Sequence, residues 1–283
     1  MIPASFAYHQ ATSVADAVRM LGENPDAKIL AGGYSLIPAM KLRLAQPGIL
    51  VDLGKLDELR GIERSDDGVH IGAMTTYDAI RDDPTIRDLF PVLPSAIGFV
   101  GDQQVRAHGT FGGSLAHADP AADLTAVFLA LGGSVHVIGT AGERGIQADD
   151  LFVDLWTTAL EPDEVITEVI LPIPAAGSIA GYRKYGHPAS GYALAGVAVR
   201  LDLSGDTVTD ARVAVTGATS IATRAAAAEE VLAGKTLNDE TLEAAAAAIA
   251  GGLEINGDAF ASEEYRAHLL GVLLKQAIAD ARS

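Results

Sequence analysis

The stretch that most constrains this chain runs from residue 29 to residue 44. It reads Ile29-Leu30, then Ala31-Gly32-Gly33-Tyr34-Ser35, then an apolar-rich segment over 36–44. The apolar pair predicts a short strand, the double glycine a tight turn, and 36–44 a helix that tolerates Pro38 in its first turn. Adjacent glycines let successive backbone N–H groups point into one concavity, and the start of a helix adds partial positive charge. That combination suits a diphosphate, although a plain tight turn has the same spelling. Around it, Thr12 and Ser13 offer a helix cap, and Val14, Ala17, Val18 and Leu21 share one helical face. Asn24-Pro25-Asp26 stops that helix, and 49–53 reads as a second strand. Residues 1–54 therefore read as a small α/β unit.

A second double glycine lies in Gly109-Thr110-Phe111-Gly112-Gly113-Ser114, preceded by Arg106 and followed by Asp119, Pro120 and Asp123. It sits in 101–123, the least periodic stretch of the chain, which reads as a long loop. Such loops inside compact domains are uncommon and often functional. Two Gly-Gly loops, each able to supply clustered N–H groups, fit one extended anionic ligand better than two unrelated turns. Around them 69–73, 134–138 and 165–171 read as strands. Thr75 or Thr76 caps a short helix through Ile80, and 91–97 and 124–131 read as helices. The run Pro172-Ile173-Pro174-Ala175-Ala176-Gly177-Ser178 interrupts both periodicities and marks a boundary, giving a second unit over 55–174 and a third over 175–283. In the third, 193–203 and 208–216 form a hairpin around Ser204-Gly205-Asp206, and 223–232, 239–250 and 262–281 read as helices. Just past the boundary, Tyr182-Arg183-Lys184-Tyr185-Gly186 and Tyr192 gather two cations and three aromatic rings. This strip either closes over a ligand of the preceding domain or is an amphipathic strand with ordinary surface charges.

Composition removes several function classes. With 37 acidic against 20 basic residues the formal charge is −17, which disfavours general binding to nucleic acid or anionic lipid. No cysteine is present, so this chain holds no disulfide, thiolate nucleophile, Cys-ligated zinc or iron–sulfur cluster, and forms no cysteinyl bond to a cofactor. The P-loop, G-x-G-x-x-G, G-x-S-x-G and H-E-x-x-H signatures are absent. The seven histidines show no metal-ligand spacing, although His108 and His117 flank the second loop. No apolar run approaches a membrane span and no secretory signal is visible, so the expected compartment is the cytoplasm.

Taken in order, Ala31-Gly32-Gly33-Tyr34-Ser35-Leu36-Ile37-Pro38, Met40-Lys41-Leu42-Arg43-Leu44 and Ile71-Gly72-Ala73-Met74-Thr75-Thr76 resemble the FAD-binding medium subunits of the molybdenum hydroxylases. So do Gln104-Val105-Arg106, Gly109 to Ser114, Asp119-Pro120 to Asp123, and Tyr182-Arg183-Lys184 with Tyr192. The likeness covers essentially the whole chain and is greatest to the aerobic carbon monoxide dehydrogenase type. It implies an α+β protein with a two-subdomain FAD-binding fold of the vanillyl-alcohol-oxidase type, followed by a C-terminal α+β domain. It implies noncovalent FAD, with Ala31, Gly32, Gly33, Tyr34, Ser35 and Leu36 and with Gly109, Thr110, Gly112, Gly113 and Ser114 at the diphosphate. Asp123 would bond polar parts of the flavin, Ile166 would pack on its rings, and Lys184 and Tyr192 would lie near the isoalloxazine. No residue of the chain would act on the substrate or bind a metal.

The resemblance further implies a large molybdenum-cofactor subunit and a small [2Fe–2S] subunit as partners, a dimer of heterotrimers, and an external acceptor of the quinone class. Related nicotine, ketone and aromatic hydroxylases carry similar subunits. Three departures stand out: Tyr34 where the family usually has histidine, Phe111 and Ser114 where it has isoleucine and asparagine, and Arg106-Ala107 where it has Arg-Asn or Arg-Tyr. Ser114 still offers a hydroxyl. A self-sufficient flavin oxidoreductase is opposed by the modest C-terminal unit, and a scaffold that has lost FAD by the intact Gly32, Gly33, Gly112 and Gly113.

Overall fold

A computed structural model describes residues 1–282 and arranges them around three main sheets. The first is parallel, in the order β1-β3-β2, from β1 (Ala7–Gln10), α1 (Val14–Glu23), β2 (Ala27–Leu30), α2 (Leu36–Lys41) and β3 (Ile49–Asp52). The Ser13 hydroxyl accepts from Asp16 N and fixes the start of α1, whose Ala17, Val18 and Leu21 pack with Val51 and Leu53. The edge strand β1 carries little apolar signal and is visible only through its pairing with β3. Helix α2 is shorter than the sequence pattern suggests, because Arg43 turns into the left-handed region at φ 60°.

The second sheet is antiparallel, in the order β4-β5-β10-β6-β7. Its elements begin with β4 (Ile62–Arg64), β5 (Val69–Gly72), α3 (Tyr77–Asp82), α4 (Pro84–Leu89) and α5 (Val92–Phe99). Next come α6 (Gln103–His108), α7 (Phe111–His117), α8 (Asp123–Leu131), β6 (Ser134–Gly139) and β7 (Gly142–Gln147). A short α9 (Ala148–Leu151) and a two-stranded hairpin, β8 (Phe152–Asp154) with β9 (Thr157–Thr158), precede the central β10 (Val165–Leu171). Phe90, Phe111, Phe128, Val69, Val135 and Val169 belong to one buried core between helices and sheet. The stretch 101–123 is not the long loop its weak periodicity predicts. It holds α6, capped by Asp102, and α7, capped by Thr110. Glycine disfavours a helix interior, but α7 needs it: a Cβ on Gly112 would meet the Ala73 Cβ at 2.5 Å. Val165, paired with Ile138 in this sheet, packs its side chain into the first unit's core with Leu59 and Met74, and so ties the two units together.

The third sheet is also antiparallel, β11-β12-β13-β14, from β11 (Ser178–Gly186), β12 (Ala193–Ser204), β13 (Thr207–Thr216) and β14 (Thr223–Arg224). It is followed by α10 (Ala226–Leu232), α11 (Asp239–Ala248) and α12 (Glu263–Ala281). The helix expected over 223–232 begins only at Ala226, because Thr223 and Arg224 pair with Val215 and Ala214. Helix α12 covers β11 so closely that a Cβ on Gly181 would run into the Ala277 carbonyl. The other face of the sheet docks on the second unit. There Phe99 meets Tyr182 edge-on at 6.0 Å, and Arg212 Nε donates to the Leu129 carbonyl at 3.0 Å.

Candidate functional site

The two double-glycine segments meet. Gly33 takes φ +78°, which glycine adopts without strain. Gly32 lies so near the end of α6 that a Cβ there would run into the His108 carbonyl oxygen and come within 3.0 Å of Gly109 Cα. Opposite, a Cβ on Gly113 would be 3.4 Å from the Ala31 Cβ. Gly32 therefore admits the backbone at 108–109, while Gly113 packs against the Ala31 side chain. The ring of Tyr34 stacks on His108, with centroids 5.7 Å apart and planes 24° from parallel.

The segments differ in what they offer a ligand. Among the described residues, the backbone N–H groups of Gly32, Gly33, Tyr34 and Ser35 donate to no protein acceptor. They are half-buried or exposed, and Ser35 makes no side-chain cap to α2, whose first residue is Leu36. Four consecutive free donors beside a glycine turn form a concave anion nest. In the second segment the expected cluster of free N–H groups is not found, and only the Thr110 N–H is left without an acceptor among the described residues. Phe111 N donates to Thr75 O at 3.2 Å, Gly112 N to Ala73 O at 3.0 Å, Gly113 N to the Thr110 hydroxyl at 3.2 Å, and Ser114 N to Thr110 O at 3.0 Å. The start of α7 consumes two of them, and docking on the 73–75 backbone consumes the other two. Gly109 is likewise occupied: its carbonyl accepts from Tyr77 N at 2.9 Å, and a Cβ there would meet the Tyr77 ring at 2.6 Å. This segment supplies a close-fitting wall and the Ser114 hydroxyl rather than a second nest.

A buried polar cluster lies behind that wall. At the start of α8, Asp123 accepts from the Tyr182 hydroxyl at 2.5 Å and from Lys184 Nζ at 2.9 Å. The Lys184 and Asp123 side chains retain only 6% and 7% exposure. Strand alternation explains the selection: Tyr182 and Lys184 project to this face of β11, while Arg183 projects to the other and pairs with Asp280 on α12. Burial pushes the Asp123 carboxyl up from its ordinary value, opposed by the Lys184 ammonium and the Tyr182 hydroxyl. Burial, reinforced by Asp123, also drives the Tyr182 phenol well above its ordinary value, so it remains a donor. Tyr77 is pushed up to about 12, chiefly by burial, with Ser114 opposing and Asp123 and Tyr192 adding. Tyr192 is half exposed, and its phenol is raised by partial burial and by the Asp119 and Asp123 carboxylates. Ser114, Tyr77, Asp123, Lys184 and Tyr192 thus share one electrostatic neighbourhood.

Ile166 is the residue expected to pack on the flavin rings. It is buried in the core of the second unit, on the strand over which α7 packs. A separate cavity of about 310 Å³ opens between α5 and β11, beside Phe90, Val92, Ile179 and Arg200, and contains none of the expected site residues.

Three contributions are absent from the sequence reading. Tyr77 bridges the second segment to Asp123. The hydroxyl of Thr216 lies 2.6 Å from the Pro120 carbonyl and 2.9 Å from that of Ala122, and Gly217 N donates to Pro120 O at 2.6 Å. The C-terminal sheet therefore holds the segment leading into Asp123. Buried Arg266 of α12 in turn donates to the carbonyls of Leu194, at 2.9 Å, and Gly217. Alternation could have singled out Tyr182 with Lys184, whereas nothing local links Thr216 or Arg266 to Pro120.

Residues 4–174 match the family described as the FAD binding domain in molybdopterin dehydrogenase, and residues 180–281 the CO dehydrogenase flavoprotein C-terminal domain. The chain is 40% identical over 274 residues to the nicotine 6-hydroxylase medium subunit of Paenarthrobacter nicotinovorans, covering 97% of this chain and 96% of that one. It is 38% identical over 279 residues to the carbon monoxide dehydrogenase medium chain of Hydrogenophaga pseudoflava, covering 98% and 97%. Its fold superposes with a TM-score of 0.96 on a chain of a solved carbon monoxide dehydrogenase from Hydrogenophaga pseudoflava, at 40% identity over 100% of this chain and 99% of that one.

Proposed function

Because the chain belongs to the family of FAD-binding medium subunits of the molybdenum hydroxylases, we propose that it is the FAD-carrying electron-transfer subunit of a heterotrimeric enzyme of the carbon monoxide dehydrogenase type. The observation that carries this reading is the run of four uncommitted N–H donors at Gly32 to Ser35, backed against the second double glycine. That donor set matches a diphosphate even in an acidic chain. The chemistry that bound FAD supplies is the exchange of single electrons on one side and electron pairs on the other.

The chain's own residues bind and tune. Ala31, Gly32, Gly33, Tyr34, Ser35 and Leu36 would hold the diphosphate, and Gly109, Thr110, Gly112, Gly113 and Ser114 would form the facing wall. Asp123, Lys184 and Tyr192 would border the ring system, and Ile166 would pack on it. Lys184, paired with Asp123, places a buried cation where negative charge on a reduced ring is favoured. Asp123 in turn fixes that cation and receives the Tyr182 hydroxyl.

The partners in this reading are a large molybdenum-cofactor subunit and a small [2Fe–2S] subunit, assembled as a dimer of heterotrimers, with a quinone as the external acceptor. A second reading gives the chain the same role in a hydroxylase of nicotine or a related heteroaromatic. It is favoured by the 40% identity to the nicotine 6-hydroxylase medium subunit.

The test is the visible spectrum of the natively purified chain with whatever co-purifies, before and after dithionite. Flavin bands that bleach, with iron–sulfur shoulders from attached chains, are the expected result. Bleaching by carbon monoxide against bleaching by nicotine separates the two substrates. Absence of flavin even after incubation with FAD overturns the proposal.

A further inference from the structure

His108 is the last residue of α6, immediately before the second double-glycine segment, and its backbone abuts Gly32. Its imidazole is exposed, lies against the Tyr34 ring, and forms no hydrogen bond within the described residues. Two nearby cations are committed. Arg106 Nη1 donates to the Val100 carbonyl at 2.9 Å and its Nε lies 3.9 Å from Asp78, while Lys184 is held by Asp123. The structure therefore sets one uncommitted imidazole beside four uncommitted backbone donors, with its orientation restricted by a stacked ring. Donors that converge without a protein acceptor are arranged for an anion, and an imidazole N–H makes a stronger bond to a charged acceptor than to a neutral one.

We propose that His108 is a ligand of the cofactor's diphosphate. Its N–H donates to the anion held by Gly32 to Ser35, and Tyr34 keeps the imidazole in position by stacking. This rests on the FAD reading above, and it adds a binding residue from outside both glycine loops.

Two substitutions at this exposed position separate a donor from a packing element. His108→Phe keeps an aromatic ring against Tyr34 and removes the N–H. His108→Gln keeps a donor and removes the ring. The dissociation constant for FAD is measured on the full chain by quenching of flavin fluorescence, with the unfolding temperature of each variant as a check on folding. His108→Phe is expected to weaken FAD binding about tenfold, as for the loss of one hydrogen bond to a charged group, and His108→Gln to weaken it by less than about threefold. Unchanged affinity in His108→Phe, or an equal loss in both variants, overturns the proposal and makes the pair a packing contact. Failure of the unsubstituted chain to bind FAD at all is a different result, because it overturns the FAD reading and the role of His108 with it.

Discussion

Replacing Lys184 by methionine tests whether the Asp123 cluster is held by charge pairing. The substitution keeps an unbranched side chain of similar length and removes only the ammonium, whose Nζ lies 2.9 Å from Asp123. Both side chains are more than nine-tenths buried, so water cannot replace the lost partner. Breaking a buried pair on one side costs about 3–5 kcal/mol, since the remaining charge is left without compensation. The Tyr182 hydroxyl still donates to Asp123, which argues for the lower end, about 3 kcal/mol. The cost must also depend on pH. Burial already raises the Asp123 carboxyl, and without Lys184 it rises further, against an unfolded value of about 3.9. Below about pH 4 both states are protonated and the ionisation penalty vanishes; as pH rises, the unfolded state ionises first and the deficit grows until the folded carboxyl also ionises. Urea unfolding of the full chain at pH 4.5 and pH 8 should show the larger loss at pH 8. Adding Asp123→Asn should restore most of it, because removing both charges is far milder than removing one. A loss under about 1 kcal/mol, or one equal at both pH values, would refute a buried pair.

Gly32→Ala should be destabilising and should weaken FAD retention, since its Cβ would be driven into the backbone carbonyl of His108; flavin content after gel filtration reads this out. Gly98→Ala is the opposite case. It lies within α5 with nothing within 4 Å of the new Cβ, so the variant should gain roughly 0.5–1 kcal/mol in thermal or urea unfolding. The His70 imidazole is raised by its hydrogen bond to Glu168 and further by Asp67, against opposing burial. A raised histidine contributes stability that is complete below its unfolded value of about 6.5 and fades as pH climbs through the folded value. The difference in unfolding temperature between the unsubstituted chain and His70→Gln should therefore be larger at pH 5.5 than at pH 9.

The sequence carried the local grammar well. Ser13, Thr76, Thr110, Asn238 and Ser262 each accept from a backbone N–H three residues on, as short polar side chains at helix starts do. The strand, double glycine and helix around 29–44 occur in the order read, although the strand begins at Ala27 and the helix stops at Lys41, because strand, turn and helix are all short-range choices. The stretch 101–123 reads as a loop because its signal is not periodic, yet it forms α6 and α7. Its two helices are short and glycine-bearing, and α7 is set by the fit of Gly112 on Ala73, nearly forty residues earlier in the chain. Clustered free donors are expected in both glycine segments but form a run in only one, since the spelling Gly-Gly does not say whether neighbouring N–H groups turn inward to a helix cap or a packed backbone, or outward to a ligand.

By itself, the sequence determined the strand, turn and helix order around the first double glycine, the polar caps of helices such as α1 and α3, and that no cysteine could tether a cofactor or hold a cluster. The first two depend on neighbours a few residues apart, and the last on composition alone, so none of them waits on packing. Tertiary structure alone decided that Asp123 meets Tyr182 and Lys184 across about sixty residues, that Thr216 supports the segment leading to Asp123, and that His108 rests on Tyr34. Such contacts form only when the C-terminal sheet docks on the second unit and the two glycine segments close on each other. Their partners are selected by burial and by the need to satisfy polar groups removed from water, and no local pattern records that selection.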